Sequence, residues 1–112
     1  MASLFAVVAI YLHIQSRRAL RELPDPSLLL DEALALARSG RAQEAETVLT
    51  ETIRVSPWVW QAFQYRAEIR MQSGRAQEAI KDLDEAIKLR PDEVHLHTLR
   101  DQAGSLLGNP TP

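Results

Sequence analysis

Ser39-Gly40-Arg41-Ala42-Gln43-Glu44-Ala45 recurs without change as Ser73-Gly74-Arg75-Ala76-Gln77-Glu78-Ala79, an offset of 34 residues. Pro57 and Pro91 stand at the same offset, and so do Gly40, Gly74 and Gly108. An identity that also sets the register of a proline and a third glycine marks an internal repeat. A fixed period of about 20 to 50 residues is the signature of stacked supersecondary units.

Each unit holds two stretches with apolar residues at helical spacing, divided by Ser-Gly-Arg. The glycine supplies the left-handed residue that ends a helix, and Pro57 or Pro91 opens the next unit. The spacing predicts helices over 26–38, 41–55, 58–72, 75–89 and 92–106. Such short turns force neighbouring helices to run antiparallel. Composition agrees: glycine is scarce, and Ala, Leu, Glu, Gln and Arg, which lose little side-chain freedom in a helix, dominate from Pro26 onward. The fold class is all-α.

The second unit reads Phe63-x-x-Arg66-Ala67-x-x-Arg70, then Ala79-x-x-x-Leu83, Ala86 and Pro91. The first reads Leu29-x-x-Glu32-Ala33-x-x-Leu36, then Ala45-x-x-x-Leu49 and Pro57, with Thr52 where the second has Ala86. Over about residues 26–108 the chain resembles the tetratricopeptide-repeat family, whose pattern alternates large and small residues in this way. The resemblance implies an antiparallel helix-turn-helix solenoid of about two and a half repeats that binds a protein through the first helix of each hairpin. Ala33, Ala45, Ala67 and Ala79 then fall at helix crossings, where a methyl group allows close backbone approach. The third unit carries Asp101 at the position of Ala33 and Ala67, which predicts a solvated capping helix.

Ala2 to Ile14 (ASLFAVVAIYLHI) has no formal charge and no wet face. Leu4, Phe5, Val7, Val8, Ile10, Tyr11, Leu12 and Ile14, followed by Arg17 and Arg18, make a candidate single-pass membrane anchor. Its thirteen residues fall short of the roughly 20 that cross a bilayer unless the arginines snorkel. A helix buried against a partner subunit, a cleaved signal peptide and the artefact of a trimmed gene start are the alternatives. The signal peptide lacks the usual basic start and small-residue cleavage site. Because the positive residues follow the apolar run, an anchored chain would hold its repeats on the cytoplasmic side. Pro24-Asp25-Pro26 breaks this first helix and offers an N-cap and N1 pair for the next.

The chain therefore divides into an apolar N-terminal helix with a basic flank at 1–23, a linker at 24–26 and a repeat domain at 27–108. Within the repeat domain lie units at about 26–57 and 58–91 and a capping helix at 92–107. A tail follows at 109–112. With fewer than three repeats the isolated array should be marginal, so a partner, the N-terminal helix or self-association is expected to add buried surface.

A net charge of -2 argues against a basic nucleic-acid binder. Cysteine is absent, which removes thiolate chemistry and Cys-based zinc sites. His95 and His97 point apart on a helix and cannot share a metal, and no phosphate loop or nucleophile elbow is present. The expectation is a non-enzyme with no cofactor. Arg66 and Arg70 could clamp an anion, but pairing with acids such as Asp82 or Glu51 is the favoured reading. Trp60 is expected to plug the gap between repeats and Trp58 to cover a helix end.

The function expected is a protein-interaction scaffold, tethered to a membrane. The alternative is a structural accessory subunit of a membrane complex, with the apolar helix docked among transmembrane helices. On the stripe that the resemblance makes concave, the partner-binding candidates are Leu30, Leu34 and Arg38 from the first unit. The second unit adds Gln61, Gln64, Tyr65, Glu68 and Met71. Ser27, Asp31 and Gln72 share the same face. With only one basic residue there, a carboxylate clamp is not expected.

Overall fold

The computed structural model describes Leu4, residues 6–10, Leu12 and residues 25–108. Among the described residues there is no strand. The repeat region forms α1 (Pro26–Arg38), α2 (Ala42–Val55), α3 (Trp60–Gln72), α4 (Ala76–Leu89) and α5 (Val94–Leu106).

The local sequence explains the boundaries. Asp25 caps α1, its Oδ1 accepting from the Ser27 N–H at 2.9 Å, with Pro26 pre-set for the first helical position. At the other end Gly40 adopts φ 83° and Gly74, ending α3, φ 78°. The Arg41 N–H reaches the Leu36 carbonyl at 2.8 Å and the Gly40 N–H the Ala37 carbonyl at 3.2 Å. Arg75 with Arg70 and Gly74 with Met71 repeat both distances. These paired bonds satisfy carbonyls that a helix end otherwise leaves open.

Helices α2 to α5 begin one or two residues later than the spacing predicts. Arg41 and Arg75 spend their N–H groups on the preceding helix and have ψ of 55° and 58°, so α2 and α4 start after them. Val59 and Glu93 are extended and close turns onto Ser56 and Arg90.

Each hairpin, α1 with α2 and α3 with α4, packs against the next element, and α3 also touches α1 and α5. The helices α2 and α4 do not meet. The result is two layers, with α1, α3 and α5 side by side and α2 and α4 behind them. Ala33, Ala45, Leu49, Ala62 and Ile69 form one buried cluster. Phe63, Ala67, Ala79, Leu83, Ala86, Leu96, Leu99 and Ala103 form the other, and Ile53 packs on both. All four expected crossing alanines are buried. Thr52 fits where its counterpart is Ala86 because its hydroxyl donates to the Val48 carbonyl at 2.8 Å. Asp101 is exposed, as expected of a face that no further helix covers.

Residues 6–10 are helical, and Leu4, Val7, Val8, Ile10 and Leu12 are exposed. Among the described residues no helix is long and apolar enough to cross a membrane. The described apolar stretch is about half of what a spanning helix needs, so the single-pass anchor gains no support. Phe5, Tyr11, Ile14, Arg17 and Arg18, the rest of that expected anchor, lie outside the described residues.

Candidate protein-binding cleft

Setting α1, α3 and α5 side by side leaves a cleft of about 390 Å³ on their shared face. Helix α1 contributes Leu34 and Ala37, α3 contributes Tyr65, Glu68, Met71 and Gln72, and α5 contributes Leu99 and Gln102. Ala33, Leu49 and Ile69 reach it from the core behind. Three of these belong to one repeat position: Leu34, Glu68 and Gln102 are spaced by the 34-residue period. Tyr65 and Leu99 are likewise equivalent, as are Ala37 and Met71. The cleft is thus a ladder of repeat positions read across three helices.

Glu68 is the one charged side chain in the lining among the described residues. It is half-buried, and burial pushes its carboxyl above the ordinary glutamate value. The neighbouring His95 and Gln64 side chains oppose that rise.

The structure brings Leu34, Tyr65, Glu68 and Met71 together, with Gln72 beside them. Leu30, Arg38, Gln61 and Gln64 are not in the lining. Leu30 instead packs on the first core cluster, and Gln64 is buried. Arg38 is exposed at the last turn of α1, where its charge complements the helix dipole. The cleft follows the C-terminal parts of α1 and α3, so Gln61 at the start of α3 lies off it. Leu99 and Gln102 did not stand out because the third unit reads as a cap. Carrying Tyr65 and Glu68 forward by one period locates both.

Behind the cleft, α2, α3 and α4 are tied by ion pairs. Asp82, buried on α4, accepts from Arg66 Nη2 at 2.6 Å and Nε at 3.0 Å, and from Arg70 Nη1 at 3.0 Å. Glu46 of α2 accepts from Arg70 Nε at 2.9 Å and from Arg75 at 2.6 Å. The Arg75 hydrogen bond is the main cause holding the Glu46 carboxyl below its ordinary value. Arg66 and Arg70 are therefore spent on structure, as the favoured reading had it, with one correction. Glu51 pairs with Arg54 along the open face of α2, and it is Glu46 and Thr50 that face α3. Trp60 packs against the second core cluster with the Arg90 guanidinium 6.0 Å from its ring. Trp58 does not cover a helix end: it is 66% exposed in the turn before Val59, where no helical face directs it inward. Among the described residues no cluster of His, Asp and Glu is arranged to hold a metal.

The sequence pattern described as "Tetratricopeptide repeat" matches residues 60–93, the hairpin of α3 and α4 with the turn that follows. These residues are a tetratricopeptide repeat. Pro91 of its closing turn and Phe63, Ala67, Ala79, Leu83 and Ala86 of its core occupy the expected places of that repeat. No curated protein matches the chain.

Proposed function

We propose that the chain is a protein-interaction scaffold and that a segment of another protein lies in the cleft between α1, α3 and α5. The observation that supports this is the cleft itself. Leu34, Tyr65, Met71 and Leu99 present apolar surface around a few polar groups, the composition of a recognition groove. The tetratricopeptide repeat at 60–93 fits a binding role without chemistry. By the same reasoning residues 26–57 act as a preceding repeat and α5 as the first helix of a third. Tyr65 is a suitable anchor, because aromatic side chains dominate hot spots and the thioether of Met71 adapts its shape. Tyr65→Ala with Leu34→Ala in the full chain should reduce partner recovery in pull-downs about tenfold or more while leaving the helical circular dichroism unchanged. Full recovery by the double variant would refute the reading.

A second reading draws on the exposed Leu4, Val7, Val8, Ile10 and Leu12. In it the N-terminal stretch sits in an apolar surrounding, either lipid or the helices of a membrane complex, with the repeats on the cytoplasmic side. Retention of the full chain in the membrane pellet after carbonate extraction supports it, and release into the supernatant refutes it.

A further inference from the structure

Glu68 is set apart from the other sheltered acids of the hairpins; Asp31 and Glu32 of α1 also lack an ion pair among the described residues, but both are exposed. Glu44, Glu46, Glu51, Glu78, Asp82, Asp84, Glu85 and Asp92 each have an arginine or lysine partner. Glu68 faces the cleft with no arginine or lysine paired to it among the described residues, and the Gln64 and His95 side chains are its polar neighbours. Its equivalents in the neighbouring units are Leu34 and Gln102, so the fold accepts a neutral side chain at this position. A partly dehydrated carboxylate costs stability unless a cation meets it. The described cleft lining around it, including Leu34, Tyr65, Met71 and Leu99, holds no lysine or arginine and leaves that cation to come from outside.

Resting on the cleft reading above, we propose that the bound segment carries a lysine or arginine flanked by apolar residues, whose cation pairs with the Glu68 carboxylate. The apolar neighbours would occupy the Tyr65, Leu34 and Met71 walls, and the Gln72 and Gln102 amides would take backbone groups of the segment. Charge-assisted pairing in a sheltered cleft is both strong and selective. Glu68 then sets the specificity, while Tyr65 supplies contact area.

The test is selection of a random dodecamer peptide library on the full chain, with Tyr65→Ala, Glu68→Gln and Glu68→Lys variants alongside. The expected winners are apolar peptides with one Lys or Arg that lose binding to Tyr65→Ala. They should bind Glu68→Gln about tenfold more weakly, as befits a lost hydrogen bond to a charged group, and Glu68→Lys should select Asp or Glu instead. Glu68→Gln copies the Gln102 side chain, and an unchanged circular dichroism spectrum confirms its fold. Tyr65-dependent peptides without a basic residue, or basic peptides indifferent to Glu68→Gln, overturn this inference and leave the cleft reading standing. A selection that yields no Tyr65-dependent peptide overturns both. Displacement of the winners by a synthetic peptide of residues 10–23 at equal affinity would make the occupant the chain's own basic segment and overturn the assignment to another protein.

Discussion

Removing the Asp82 carboxylate should be among the most damaging single changes to this fold. The side chain is 4% exposed and receives three hydrogen bonds from Arg66 and Arg70, whose side chains are 14% and 18% exposed. Breaking a buried ion pair by deleting one partner costs about 3–5 kcal/mol, because the remaining charge is stranded. Here Arg66 keeps Thr50 at 3.2 Å and Arg70 keeps Glu46 at 2.9 Å, and both heads retain some water. Asp82→Ala is therefore placed at about 2–3 kcal/mol, against a total of roughly 5–12 kcal/mol for a domain of this size. Urea unfolding of the full chain, followed by far-ultraviolet circular dichroism and tryptophan fluorescence, measures it. Combining Asp82→Leu with Arg66→Met should cost less than Asp82→Ala, since an apolar pair leaves no uncompensated charge at that contact. A loss below about 0.5 kcal/mol for Asp82→Ala, within the range of ordinary surface changes, would refute the assignment of this network as the tie between α3 and α4.

Two glycines should respond in opposite directions: Gly74→Ala, at φ 78°, should destabilise by about 1 kcal/mol, whereas Gly104→Ala, inside α5 with open space around it, should stabilise by about 0.5–1 kcal/mol. Thermal unfolding distinguishes the signs. The Glu46 carboxyl is held below its ordinary value of 4.5, so its contribution is present above that pH and is lost as pH falls through the lower folded value. Glu46→Gln should accordingly flatten the acid limb of a stability-against-pH curve. Glu68 has the opposite sign: its raised value means that its contribution is most favourable below about 4.5 and is lost as pH rises through the folded value. Glu68→Gln should therefore raise stability at neutral pH, as read from the urea midpoint, although it weakens a cationic ligand.

Much of the architecture was legible because the residues that determine it act locally. Gly40 and Gly74 end helices by backbone conformation alone, Asp25 and Pro26 start one, and an exact repeat fixes their spacing. The crossing alanines followed from the same register. What depends on three dimensions was harder to read. Gln64 and Tyr65 are sequence neighbours on the same expected stripe, yet Gln64 is buried while Tyr65 opens onto the cleft. Whether Arg66 meets Asp82 or Glu51 depends on which face of α2 lies against α3, a packing angle that helical periodicity does not encode. Trp58 was misplaced for a related reason: its position in a turn removes the periodic constraint that directs Trp60 inward.

The claim that the cleft holds a protein segment is tested most directly by site-specific photo-crosslinking. Benzoylphenylalanine at Tyr65, inside the cleft, is compared with the same group at Thr47, exposed on α2 in the other layer. With the full chain expressed in its native cells, the account predicts a discrete protein adduct from position 65 that is absent from position 47 and is reduced by Leu34→Ala. Equal adducts from both positions, or none from position 65 while position 47 labels a protein, would contradict it.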